Sequence, residues 1–162
     1  MRRRPTTWTT YASPIGSLTL RGDGEVLTAI HFPGRVGDLG ESTRDPVAFE
    51  RAAAQLDEYF AGERRAFDLP VRLDGTDFER AVWRELRMIP YGETTTYGAI
   101  ARAIGRPDDA REVGTAVGRT PVPIVVPCHR VVGSDGSLTG YGGGLDSKRS
   151  LLDLEAGQLA LI

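Results

Sequence analysis

The chain has 162 residues, 40% hydrophobic and 26% charged, with a formal net charge of −2. This balance excludes a disordered or fibrous chain, and the length suits one compact unit or two small subdomains. Residues 1–75 and 76–162 each hold ten Lys/Arg and eleven Asp/Glu, so no global charge points to a nucleic-acid partner, and any such partner must be met by a local patch.

The first third reads as strands. Thr6–Ala12, Ser17–Arg21 and Glu25–Phe32 are rich in Thr, Leu, Val and Ile, and Ser13-Pro14-Ile15-Gly16 and Gly22-Asp23-Gly24 are turn formers between them. The pattern predicts a three-stranded antiparallel meander. Residues 33–44 form a polar, Gly-rich loop. Asp45-Pro46 opens a helix with Asp as N-cap, Phe49, Ala53, Leu56 and Phe60 carry it, and Gly62 ends it. Ala66–Leu73 reads as one more strand, which Pro70 makes either an edge or a break. Asp74-Gly75 is the expected boundary between an N-terminal domain, 1–75, and a C-terminal domain, 76–162.

Helical signals dominate the second part. Thr76-Asp77-Phe78-Glu79 is a capping box, followed by an apolar stripe of Phe78, Val82, Leu86 and Ile89 that Pro90 stops. Thr94–Thr96 offers the next N-cap. Tyr97, Ile100, Ala101 and Ile104 then recur at helical spacing, and Gly105 closes the helix. Asp108 or Asp109 caps a third helix bearing Ala110, Val113, Gly114 and Val117. Two short helices joined by a few residues that begin with Gly form a helix-turn-helix pattern. Ile124-Val125-Val126 reads as a short buried strand leading to Cys128. The last helix runs roughly from 147 to 155, with Leu151, Leu152 and Leu154 inward. The expected class is mixed α/β (α+β): a small N-terminal antiparallel sheet with helices, and a C-terminal helical part with the helix-turn-helix and a strand bearing the reactive Cys.

No run of about 18 apolar residues exists, so no membrane span is expected. Met1–Thr7 is basic without an apolar stretch after it, unlike a secretory signal. The single cysteine, Cys128, excludes an internal disulfide and a Cys-rich zinc site, which points to the cytoplasm.

Cys128 follows a stiff Val-Val-Pro segment and precedes His129 and Arg130. Two potentially cationic neighbours favour thiolate over thiol. Adjacent strand residues point to opposite faces, so Cys128 and His129 cooperate only where the chain turns or water bridges them. His129 is then the candidate base. His31, beside Phe32 at a strand end, reads as structural. Residues 95–130 carry Arg102, Arg106, Arg111, Arg119 and Arg130 against Asp108, Asp109 and Glu112, a modest positive excess for phosphate contact. Gly140–Gly144 lacks the Gly-Lys-Ser/Thr ending of a phosphate loop.

Taken together, Pro127-Cys128-His129-Arg130, Pro121-Val122-Pro123-Ile124, Gly140-Tyr141-Gly142-Gly143-Gly144, Ala110-Arg111-Glu112-Val113-Gly114 and Ile89-Pro90-Tyr91-Gly92-Glu93 resemble the O6-alkylguanine-DNA alkyltransferase family. The resemblance is specific over about residues 76–155 and loose in the N-terminal half. It implies direct-reversal DNA repair in one turnover without a cofactor: an alkyl group passes irreversibly from O6-alkylguanine in double-stranded DNA to Cys128, and whether O4-alkylthymine is also accepted is not set by the sequence. It further implies that His129 takes the Cys128 proton through a water and that Glu155 orients His129. Arg111 would fill the gap left by an extruded base. Tyr97 would press on the 3′ phosphate, with Thr96 and Arg119 also at the DNA. Tyr141 would stack on the guanine, Pro123 would line the pocket, and the backbone of Cys128, Val131 and Gly142 would read the purine edge.

The chain departs from the family pattern at Thr120, where Asn is usual, and at Glu112, where a small residue is usual. Some family members bind zinc through an N-terminal Cys, which this chain lacks, so no metal is expected. The alternative is a non-catalytic binder of alkylated DNA of the alkyltransferase-like type, but such proteins replace the acceptor cysteine. A helix-turn-helix regulator would need a dimerising element that is not apparent here. A cysteine hydrolase would turn over repeatedly. A monomer is expected.

Overall fold

The computed structural model describes residues 5–157; residues 1–4, with the Arg2–Arg4 run, and residues 158–162 lie outside it. Strands β1 (Thr7–Ser13), β2 (Gly16–Gly22) and β3 (Leu27–His31) form the expected meander, with β1 and β2 antiparallel in register from Thr7↔Gly22 to Ser13↔Gly16. Their turn is closed by Ser13, whose hydroxyl donates to the Gly16 carbonyl at 2.6 Å, and Gly16 takes φ +110°.

The sheet is larger than the sequence predicts. Part of the 33–44 loop returns as β4 (Thr43–Arg44), which pairs parallel with Thr7 and Trp8 and gives the order β3-β2-β1-β4. Conversely, Ala66–Leu73 is not a strand. It touches the sheet through one bridge, Leu27↔Val71, with hydrogen bonds from Leu27 N to Pro70 O and from Arg72 N to Leu27 O, both 2.9 Å. Pro70 has no N–H, so no longer ladder can form there.

Helix α1 (Glu50–Phe60) follows a 3-10 turn at Pro46–Phe49, and Asp45 makes no side-chain cap. Helix α2 (Asp77–Leu86) starts at the complete capping box: Glu79 N donates to Thr76 Oγ1 at 3.1 Å and Thr76 N to Glu79 Oε1 at 3.0 Å. Gly75 is required just before it, because a Cβ there would lie 2.5 Å from the buried Trp83 ring. Trp83 in turn donates its indole N–H to the Ala116 carbonyl at 2.8 Å, tying α2 to α4.

Strand β5 (Thr95–Thr96) leads directly into α3 (Tyr97–Ala103), and Thr96 caps that helix by accepting from Ala99 N. Helix α4 (Ala110–Gly118) packs on both α2 and α3. Its Asp109 bonds Arg106 Nε at 2.6 Å rather than capping the backbone. β6 (Val131–Val132) pairs parallel with β5, and α5 (Leu145–Glu155) completes the order. The inner face of α5 differs from expectation: Lys148, Leu151 and Leu154 are buried, while Leu152 is only half-buried. Spacing of three along a helix selects 148, 151 and 154 for one face.

The buried apolar residues form one cluster running from Leu18 and Leu20 in the sheet through Tyr59 and Trp83 to Leu151 and Leu154. Residues before and after Gly75 therefore share a core. Among the described residues, no helix is long and apolar enough to cross a membrane, and no group of three metal-ligating side chains is gathered.

Candidate active site

Cys128 does not sit on a strand. Three prolines and Ile124, at φ +73°, coil the segment 121–127 instead, with Val126 N donating to Val122 O at 2.9 Å and Cys128 N to Val126 O at 2.8 Å. Prolines cannot supply ladder N–H groups, and Ile124 in the left-handed region cannot continue a strand. Cys128–Arg130 is a buried 3-10 turn. This is the turn that cooperation between adjacent Cys and His requires.

His129 is fully buried, and its Nε2 lies 2.7 Å from Glu155 Oε2. Glu155 also takes Arg130 in a bidentate grip (2.7 and 3.0 Å) and the Tyr59 hydroxyl at 2.6 Å. Arg130 Nη1 reaches Ile89 O at 2.7 Å. Burial alone would raise the Glu155 carboxyl, but hydrogen bonds from His129, Arg130 and Tyr59 together hold it down to about 2. For His129, burial outweighs the carboxylate and lowers the imidazole pKa, so the ring rests neutral. With Nε2 on the carboxylate, the other ring nitrogen, Nδ1, is buried without a partner. A neutral imidazole oriented this way is a base with one open nitrogen.

The expectation of a resting thiolate is overturned. Burial raises the Cys128 thiol to about 11, and the nearby Thr120 and Tyr141 hydroxyls pull it only part of the way back. The sequence neighbours do not supply the charge assumed for them, since His129 is neutral and Arg130 is spent on Glu155. The cation that favours the thiolate is Lys148 of α5, which is 1% exposed and donates to Thr139 O at 3.3 Å. Sequence reading missed Lys148. Its signal was the inward spacing with Leu151 and Leu154.

Beside Cys128 lies a cavity of about 180 Å³, lined among others by His31, Phe32, Thr120, Pro123, Tyr141 and Gly142. Pro123, Tyr141 and Gly142 are thus brought to the cysteine as expected. Val131 is buried in β6, paired with Thr95, and does not line the cavity. His31, read from the sequence as structural, lines it, and its Nε2 is buried without a partner. The Tyr141 hydroxyl is buried and faces the Cys128 thiol.

Outside the cavity, Arg111 is exposed on the first turn of α4 and Thr96 caps α3. Tyr97 shares a short hydrogen bond with Thr139 Oγ1, which links α3 to the loop before Gly140. Arg119 ends α4, 69% exposed, 3.7 Å from Glu79.

A buried cysteine beside a His–Glu pair, next to a cavity and an Arg-bearing helix pair, suits attack on a group presented from outside. Two domain families match the chain: the 6-O-methylguanine DNA methyltransferase ribonuclease-like domain over residues 6–73 and its DNA binding domain over residues 77–157. The chain belongs to the 6-O-methylguanine DNA methyltransferase family.

Within this family the chain is 53% identical over 148 residues to the methylated-DNA–protein-cysteine methyltransferase of Mycobacterium tuberculosis, covering 90% of each chain. It is 46% identical over 148 residues to that of Methanosarcina acetivorans, covering 90% of this chain and 95% of the relative. The fold superposes on the crystal structure of Mycobacterium tuberculosis OGT in complex with DNA with a TM-score of 0.90, at 51% identity over 94% of both chains. It also matches an O6-methylguanine DNA methyltransferase from Methanococcus jannaschii with a TM-score of 0.62, at 29% identity, covering 86% of this chain and 88% of that one. The family's activity is methyl transfer from DNA to a protein cysteine in direct-reversal repair.

Proposed function

We propose that the protein removes the alkyl group from O6-alkylguanine in double-stranded DNA by transferring it to Cys128, once per molecule. The observation that carries this reading is Cys128 itself: the sole cysteine, intact, facing a cavity and flanked by the His129–Glu155 pair. A non-catalytic binder would have no need of a nucleophile there.

The step is one displacement. The Cys128 proton passes to His129 Nδ1, through a water, as substrate fills the pocket. Glu155 stabilises the imidazolium, and Lys148 favours the thiolate. Sγ attacks the alkyl carbon, a C–S bond forms and the C–O6 bond breaks. The electron pair leaves with guanine, which takes a proton at N1, relayed from the His129 imidazolium through water, and departs as the normal base. The thioether has no hydrolytic exit, so the protein is spent.

Because Cys128 is buried, the base must leave the helical stack to reach it. In this reading α3 and α4 act as a helix-turn-helix on the DNA. Arg111 fills the vacated space, Tyr97, Thr96 and Arg119 meet the backbone, and Tyr141, Pro123 and Gly142 hold the base. The protein acts as a monomer in the cytoplasm, where a lone free thiol stays reduced.

The test is incubation with duplex DNA carrying O6-methylguanine, followed by mass mapping. We expect a gain of one methyl at Cys128, a plateau at one per protein, and no transfer by Cys128→Ser with DNA binding kept. A plateau well above one, or methyl elsewhere, overturns the reading.

A further inference from the structure

The cavity beside Cys128 is not built by the C-terminal part alone. Phe32, one residue beyond β3, lines it and is 6% exposed. Its ring centroid lies 5.2 Å from that of Tyr141, tilted at 60°. The glycine loop rests on the same ring: a Cβ on Gly142 would lie 3.4 Å from it and one on Gly143 only 2.8 Å. No side chain fits between loop and ring at Gly143. The strand carrying Phe32 is itself anchored to the coiled segment before Cys128, because Ile30 N donates to Pro121 O at 2.9 Å. The strand before Phe32 is therefore tied to the segment before Cys128, and the loop rests on Phe32. The space, about 180 Å³, is below the roughly 300–1,000 Å³ of pockets that take drug-sized ligands.

We propose that Phe32 is a specificity-determining residue: by seating Tyr141, Gly142 and Gly143 it fixes the depth of the acceptor pocket and selects small alkyl groups over large ones. The inference rests on Cys128 as the acceptor, but pocket size has a readout independent of DNA. The larger group must displace either the ring or the loop. Both are packed on each other, so neither yields without the other. Removing the ring opens the floor. Adding a methyl at Gly143 lifts the loop from the other side.

The experiment uses the full chain as wild type, Phe32→Ala, Gly143→Ala and the double variant. Because Cys128 is the only cysteine, its alkylation is read directly by mass. Rates are taken with iodoacetamide and N-benzyliodoacetamide, each corrected by the rate on denatured protein, and with duplexes carrying O6-methylguanine or O6-benzylguanine. The benzyl-to-small rate ratio should rise about tenfold in each single variant, within the roughly 10–200-fold range that room for a small apolar group commands. The double variant should gain little beyond either single, since both release one contact.

A ratio that stays constant while both rates fall together makes Phe32 merely structural and overturns the proposal. So does an additive double variant. Were Phe32→Ala not to fold, Gly143→Ala and Phe32→Leu carry the same test. If wild type labels at Cys128 with the reagents yet takes no methyl from DNA, the repair reading fails while the pocket inference stands on the reagent ratios. If methyl transfers but the ratios do not move, the reverse holds.

Discussion

Thr120 is where this chain leaves its family's pattern, and its neighbours explain what threonine does instead. Its hydroxyl donates to Val117 O at 2.7 Å, closing the end of α4, and it lies beside the Cys128 thiol. It has one hydrogen, so it serves the thiolate only by releasing the Val117 carbonyl. An Asn amide could do both, and Thr120→Asn should leave transfer equal or faster. Thr120→Val keeps the shape and removes the hydroxyl. A lost hydrogen bond of about 0.5–1.5 kcal/mol corresponds to roughly twofold to tenfold slower alkylation of Cys128 at pH 8. The full pH profile with iodoacetamide decides the cause: the thiol's titration should move further above its wild-type position near 11. A slower rate with an unmoved profile would mean that the cavity had only been misshaped.

Among the elements, α2 and α4 answer to different tests. The capping box at Thr76 is exposed and does not line the cavity at Cys128, so Thr76→Ala should lower stability by about 1 kcal/mol, as N-cap losses do, while Cys128 alkylation at 25 °C stays unchanged. Denaturant unfolding beside a labelling rate checks both halves. Arg111 on α4 belongs to the DNA side. Arg111→Ala should slow repair of a duplex at least about tenfold, the cost of one lost group that offsets unstacking. It should leave reaction with free O6-benzylguanine near wild type, since a free base needs no extrusion. Equal losses on both substrates would assign Arg111 a structural part. At Gly144, by contrast, α5 starts without a side-chain cap, and this helix is held by burial of Lys148, Leu151, Leu154 and Glu155 instead.

For the whole molecule the buried cluster of Glu155, His129, Arg130 and Tyr59 predicts acid sensitivity. Glu155 titrates at about 2 in the fold against an ordinary 4.5, so its stabilisation is complete above 4.5 and is lost as pH falls toward 2. The shift corresponds to about 3 kcal/mol. His129 is held below its ordinary 6.5, so below that pH the unfolded chain takes up a proton that the fold resists. Both act in one direction. Tm should be flat near pH 7–8, begin to fall below about 6.5 and steepen below about 4.5. Glu155→Gln should lower Tm at pH 7, because Arg130 loses its buried partner at a cost of about 3–5 kcal/mol. It should also flatten the loss below 4.5. A Glu155→Gln melting curve parallel to wild type through that range would remove Glu155 as the cause.

What the sequence determined by itself was local, though not every local detail: Asp45 and Asp109 make no side-chain cap. The Thr76 capping box, the Thr96 cap, the apolar stripes of α2, α3 and α4, and the Ser13–Gly16 turn depend on neighbours within a few residues and were all legible. The candidate nucleophile and its His were legible because they adjoin. Other features were decided only by tertiary structure. The strand expected before Cys128 became a coil, because prolines deny it partners and because Ile30 and Pro121 meet across the chain. The thiolate expected from His129 and Arg130 became a buried thiol, because burial outweighs neighbouring charge and because Glu155, 25 residues from Arg130, claims the guanidinium. Lys148 reached the cysteine through the packing of α5. Phe32 and His31 became walls of a cavity whose other side lies about a hundred residues away in the chain. Hydrogen-bonding chemistry and hydrophobic period act within a turn of helix or a pair of strands. Desolvation, charge pairing and cavity shape depend on which distant surfaces meet, and only the folded chain brings them together.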